Sequence, residues 1–198
     1  MIYLLMIIPI GDTCNITFLL QNAKLKKQTT LFEWFVSKKL NHITQVLLKI
    51  SNNEHPTFSV KGKYVLFDNV YSDHYKLPEF IQTYIRRRDR LIDTIKNNSS
   101  LLFVRFESFV NNYTTEVDDF IRAVKKINPS PELDIKLFFI APKKIDHPSV
   151  FTAIYDKHAQ DPYCKTSEIN ELFINGLKQI GYNINDINLL EFNDMSII

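Results

Sequence analysis

Leu101-Leu102-Phe103-Val104-Arg105-Phe106, bounded upstream by Asn97-Asn98-Ser99-Ser100, is the stretch on which the reading of this chain turns. It is a compact apolar run with one charge near its end, the pattern of a strand covered on both faces. Downstream, Thr115 to Ile127 has the periodicity of an amphipathic helix, stopped before Pro129. Leu133 to Ile140 is a second apolar run, ended by Ala141-Pro142. Upstream, Ile2 to Ile10 is another, punctuated by Gly11-Asp12-Thr13. Short buried strands alternating with helices predict a parallel sheet with helices on both of its faces.

The remaining segments fit around that frame. Cys14 to Ala23 suits a short helix with Asp12 or Thr13 as its N-cap. Leu31 to Phe35 is an aromatic cluster, and Ser37 to Ile50 carries a helical stripe of Leu40, Ile43, Val46 or Leu47, and Ile50. Phe58 to Val60 and Tyr64 to Phe67 read as a hairpin around Lys61-Gly62-Lys63. Leu77 to Asn97 is the clearest helix, with Leu77, Ile81, Tyr84, Ile85, Arg88, Leu91, Ile92 and Ile95 near 3.6-residue spacing. Thr166 or Ser167 starts a last helix to about Ile180, Gly181 is its natural C-cap, and Ile187 to Phe192 reads as a closing strand. The expectation is a single α/β domain over residues 1–198, three-layered, with a mostly parallel Rossmann- or flavodoxin-like sheet.

Composition narrows the function classes. Apolar residues make up 45% of the 198, with fifteen Phe and nine Tyr, enough for a packed core. A balance of 24 basic against 22 acidic side chains gives a net charge of +2, too little for a bulk field that attracts nucleic acid or an anionic membrane. The two cysteines, Cys14 and Cys164, have no metal spacing, and a reduced, cytoplasmic compartment is the expected setting. The apolar opening Met1 to Ile10 lacks a basic leader and a cleavage site, and reads as a first strand instead of a signal peptide. There is no glycine-rich phosphate loop, no Gly-x-Ser-x-Gly elbow and no paired-histidine helix. No cofactor and no metal are implied.

In open α/β sheets the site lies at the carboxyl ends of the strands. That rule collects Gly11, Asp12, Thr13 and Cys14 after the first strand, Asp73 and His74 after the hairpin, Arg105 and Glu107 ending the central strand, and Lys143 with Lys144 after the next. Cys14 in the first turn of a helix meets free N–H groups and the positive dipole end, both of which favour a thiolate. His74 is the chosen base over His42, His55, His147 and His158. Gly11, Asp12, Thr13, Asp73, Arg105 and Lys143 are the candidate ligand-binding residues. The alternative is that Cys14 is a small buried packing residue. Arg86, Arg87, Arg88 and Arg90 scatter around their helix, so a solvated face is expected, except for Arg88 on the apolar stripe. Trp34 reads as core.

Ile8-Pro-Ile-Gly-Asp-Thr-Cys14, Leu19-Leu20 and Leu31-Phe32-Glu33-Trp34 together resemble the "Leu-Gly-x-x-Cys … Pro-Phe-Asp-Trp" opening of a family of uncharacterised papain-like cysteine peptidases from bacteria and large DNA viruses. The likeness continues through Asp73-His74, Tyr84-Ile-Arg-Arg-Arg-Asp-Arg90 and Leu102-Phe-Val-Arg105, and covers roughly residues 7–106. The resemblance implies Cys14 as nucleophile, His74 as base and Glu33, where the family has Asp, as orienting carboxylate. Asp73-His74 reverses the family's His-Asp order. A papain-like α+β core would place the cysteine helix on an antiparallel sheet, the alternative to the parallel sheet read from the residues. The expected substrate is a peptide or a small anionic molecule, in the cytoplasm (the host's, for a viral protein), with no nucleic-acid or membrane partner; the oligomeric state is open. A Rossmann-like transferase or esterase-type hydrolase that binds an anion at the strand ends, and a non-catalytic interaction domain, are the other readings.

Overall fold

The computed structural model describes residues 6–11, 14–26, 29–107, 113–155 and 167–182. Within them the chain forms β1 (Met6–Pro9), α1 (Asn15–Asn22), α2 (Leu40–Ser51), β2 (Phe58–Lys61), β3 (Tyr64–Phe67), β4 (Val70–Ser72), α3 (Leu77–Lys96), β5 (Ser100–Phe106), α4 (Thr114–Ile127), β6 (Asp134–Ala141), β7 (Val150–Ile154) and α5 (Ser167–Gln179). Residues Asp12, Thr13, His158, Cys164 and Thr166 and the expected strand from Ile187 to Phe192 lie outside the described residues.

The apolar runs become a four-stranded sheet in the order β1-β5-β6-β7, every pairing parallel. The central strand β5 lacks a solvent-facing side because both of its faces are covered, and period-two alternation sends neighbours to opposite cores. From β5, Leu101 and Phe103 enter a core shared with α2, α3 and α4, whereas Leu102, Val104 and Phe106 join one built with α1 and α5. The fold is therefore mixed α/β with a parallel sheet, not the antiparallel sheet that a papain-like core carries.

A second sheet, β2-β3-β4, is antiparallel and three-stranded. Gly62, at φ +60°, makes the hairpin turn between Lys61 and Tyr64, a left-handed position that glycine adopts without a Cβ penalty. The third strand, β4, is stitched by an isolated bridge from Tyr71 to Val36, which draws residues 31–37 against the small sheet. The aromatic residues Phe58 and Phe67 of this sheet meet Phe80 and Tyr84 of α3 at centroid distances of 5.2 to 5.8 Å.

Those aromatics choose the buried face of α3. It is Phe80, Tyr84, Arg87, Leu91 and Ile95, so the arginine on the stripe is Arg87 and not Arg88. Ile85, expected inside, is 40% exposed, and Arg88 turns out to pair with Asp89. Arg87 instead lies over the Tyr75 ring at 5.3 Å and donates to Glu33 O.

Two helices follow their local chemistry. In α2, Leu40, Ile43, Val46, Leu47 and Ile50 are all buried. After α5, Gly181 at φ +87° lets its N–H reach Lys178 O and that of Tyr182 reach Leu177 O, the paired bonds of a Schellman end. Among the described residues no helix is long and apolar enough to cross a membrane.

Candidate functional site

Cys14 and His74, sixty residues apart in sequence, meet at the carboxyl end of β1. Cys14 Sγ and His74 Nε2 are 3.5 Å apart. Each side of the contact is fixed by backbone. Ile10 N–H donates to Val104 O, which extends β1 alongside β5 to the point where the chain leaves the sheet. The buried Ser37 hydroxyl donates to Gly11 O at 2.8 Å. Cys14 then occupies the N-cap position of α1, where its carbonyl accepts from Thr17 N–H and Phe18 N–H. On the other side β4 ends at Ser72, whose hydroxyl accepts from His74 N–H at 3.1 Å.

The thiol differs from the expectation of a lowered pKa. Burial pushes it above its ordinary value, the Asp73 carboxylate adds to that, and a backbone hydrogen bond at Cys14 acts in the opposite direction. The physical reason is that desolvation of a half-buried sulfur outweighs the helix end, where Thr17 and Phe18 N–H already serve the Cys14 carbonyl. Asp73 Oδ1 stands 3.7 Å from His74 Nε2, the nitrogen that faces sulfur. Its other oxygen is tied to Lys63 Nζ at 2.9 Å, and this hydrogen bond holds the Asp73 carboxyl below its usual range.

Trp34, read from the sequence as core, is a wall of the pair. It sits at φ +66°, a strained conformation for a bulky residue, and its ring packs edge-on against His74 and against Phe18, each at 5.4 Å. Its sequence signals were its place in the aromatic cluster of Leu31 to Phe35 and in the Leu31-Phe32-Glu33-Trp34 segment of the family resemblance. His74 also lines an open groove of about 560 Å³ that runs between the hairpin and the start of α3, past Val60, Lys63, Tyr75 and Leu77.

Glu33 does not orient His74. Its carboxylate, 1% exposed, accepts from Thr30 N–H at 2.6 Å and pairs with Lys26 Nζ at 2.9 Å. Local turn geometry explains this, because a carboxylate three residues after Thr30 closes on that N–H before it can reach across Trp34.

Arg105 is not a ligand-binding residue at a rim. It is wholly enclosed: Nε donates to Glu107 Oε2 (2.8 Å), Nη1 to Ile10 O (3.0 Å) and to Ser37 Oγ (2.9 Å), and Nη2 to Ser37 O (2.7 Å). Glu107 is equally buried and accepts from the Tyr113 hydroxyl. This clamp ties β5 to the end of β1 and to the turn that carries Trp34, so Arg105 supports the site from behind it. Gly11 is buried with its carbonyl engaged, Lys143 is an exposed side chain after β6, and Asp12 and Thr13 lie outside the described residues. Ser37, missed in the sequence, is the hub that the clamp shares with Gly11.

Among the described residues no three His, Cys, Asp or Glu side chains gather as a metal ion would need. Compared with protein-family models, curated proteins and solved structures, the chain matches none of them.

Proposed function

We propose that the chain is a cysteine-dependent hydrolase of papain-like peptidase chemistry, with Cys14 as nucleophile and His74 as base, carried on a three-layer, Rossmann-like domain. The observation that carries this reading is the 3.5 Å contact between Cys14 Sγ and His74 Nε2 at the carboxyl end of a parallel strand.

A thiol held in its protonated form by burial favours general-base activation over a standing ion pair. His74 Nε2 takes the thiol proton as sulfur attacks an acyl carbon. The imidazolium then gives that proton to the leaving group; water, deprotonated by the same nitrogen, attacks the thioester and breaks its C–S bond, releasing the acid as the proton returns from His74 to Cys14 Sγ. Asp73 stabilises the imidazolium formed in between. A peptide fits better than a small anion as substrate, because the open groove beside His74, at about 560 Å³, is far larger than a small anion needs and the guanidinium of Arg105 is already engaged within the protein. A reducing, cytoplasmic setting suits a free thiol in this role.

The test is covalent capture by a peptidyl acyl electrophile, read by mass spectrometry. Labelling is expected at Cys14, absent in Cys14→Ser, and slowed about 100-fold or more in His74→Ala, the contribution of a general base. Equal labelling of wild type and His74→Ala defeats the proposal.

A further inference from the structure

Away from the Cys14–His74 pair, a cavity of about 290 Å³ lies between β1, the end of α1 and the C-terminal half of α3. Ile7, Leu20, Leu25, Leu91 and Tyr182 give it apolar walls. Its polar lining is one connected group. Glu33 holds Lys26 and the Thr30 N–H, as described above, and Arg90 Nη1 donates to the neighbouring Thr29 O at 2.7 Å. The Thr30 hydroxyl, also on the lining, is buried with no partner among the described residues.

The charges in this lining do not cancel. Lys26 and Arg90 are two cations, and Glu33 is one anion, with Oε1 accepting from Thr30 N–H and Oε2 ion-paired with Lys26 Nζ at 2.9 Å. A cationic head group would add a third positive charge and find the single carboxylate taken. A neutral apolar solute would leave the Thr30 hydroxyl and the Arg90 N–H groups unmet, at the cost of unsatisfied buried donors. The geometry points to a binding site for a small amphipathic carboxylate, its head accepting from Arg90, Lys26 and the Thr30 hydroxyl and its apolar body against Leu20, Leu25 and Leu91. At the ~30 Å³ that a water occupies in the liquid, the cavity has room for roughly ten non-hydrogen atoms, the size of octanoate. This site stands independently of the reaction proposed for Cys14.

The molecule contains its own reporter. Lys26 Nζ lies 5.3 Å from the centre of the ring of Trp34, the single tryptophan of the chain, so an anion that draws on Lys26 alters Trp34 fluorescence.

The full chain is titrated with octanoate, followed by Trp34 fluorescence and, independently, by calorimetry, with octanol and octylammonium as probes of equal length. Saturable one-to-one binding of octanoate is expected, about tenfold tighter than either probe, as one charge-assisted hydrogen bond implies. Arg90→Gln weakens it by about the same factor. Thr94→Leu, which fills the cavity from a partly exposed helix position without touching the charges, abolishes it while the melting temperature stays near wild type. Absence of saturable binding by both readouts overturns the site, as does equal binding of octylammonium or octanol, or unchanged affinity in Arg90→Gln.

Discussion

Replacing Arg105 by methionine probes the clamp behind the candidate site. The substitution keeps an extended apolar side chain but removes four hydrogen bonds and the cation that faces Glu107, a carboxylate 1% exposed. Breaking a buried ion pair from one side costs about 3–5 kcal/mol, because the remaining charge stays desolvated without its counterpart. A protein of this size holds roughly 5–15 kcal/mol in total, so Arg105→Met takes a large share of it. At about 2–4 °C per kcal/mol the melting temperature falls by roughly 10 °C. Urea denaturation followed by Trp34 fluorescence and far-ultraviolet circular dichroism measures the loss. Arg105→Lys offers one ammonium in place of a planar fork and cannot span Glu107, Ile10 O and both Ser37 oxygens, so it falls between wild type and methionine. Glu107→Gln added to Arg105→Met recovers part of the loss, since no unpaired charge remains. If Arg105→Met unfolds within about 1 kcal/mol of wild type while Glu107 is intact, the clamp is not holding the site.

Three further outcomes follow from the geometry. Asp73→Asn removes a charge that raises the Cys14 thiol pKa, so the midpoint of the alkylation rate against pH moves down and the thiolate fraction at neutral pH rises; an upward shift contradicts the assignment of Asp73. Gly176→Ala puts a Cβ 2.3 Å from Cζ of the buried Phe138 ring, itself stacked on Phe173 at 5.8 Å. The overpacking cost of about 1–3 kcal/mol exceeds the helix-propensity gain of about 1 kcal/mol, and a thermal melt that moved upward would show that α5 packs differently. The Tyr84 hydroxyl is buried without a hydrogen-bond partner among the described residues, and burial raises its pKa well above the usual phenol range. Tyr84→Phe is therefore neutral or stabilising by about 1 kcal/mol; a urea midpoint showing a clear loss means the hydroxyl has a partner.

Local patterns made much of the frame legible. The runs that became β5 and β6, the stripe of α2, the glycines at the hairpin tip and after α5, and the nearness of a strand end to Cys14 all rest on interactions within a few residues. Such interactions leave a period or a punctuation mark in the chain. The Cys14 and His74 pairing was legible only in part: Cys14 follows a parallel strand, where the topology rule places a site, whereas His74 follows β4 of the antiparallel sheet, which that rule does not cover.

Other features had no local mark. Val150–Ile154 holds Thr and Ala mid-run, and it becomes β7 only because β6 offers a parallel edge in the register Leu137 to Val150. Along α3, apolar residues occupy two adjoining faces, and the aromatics of a distant hairpin decided that Phe80 and Tyr84 go inward while Ile85 stays out.

What the amino-acid sequence determined by itself was most of the strands and helices, β4 and β7 excepted, and which residue types stand at their ends, since hydrogen bonding and hydrophobic period act over a single turn or pleat. The direction of each charged side chain was decided only in three dimensions. Arg105 and Glu33 are polar residues near strand ends and turns, equally able to face a ligand or the protein. They turned inward because Ile10 O, Ser37, Thr30 N–H and Lys26 offered hydrogen bonds once the chain had closed, and a buried charge settles where its partners are.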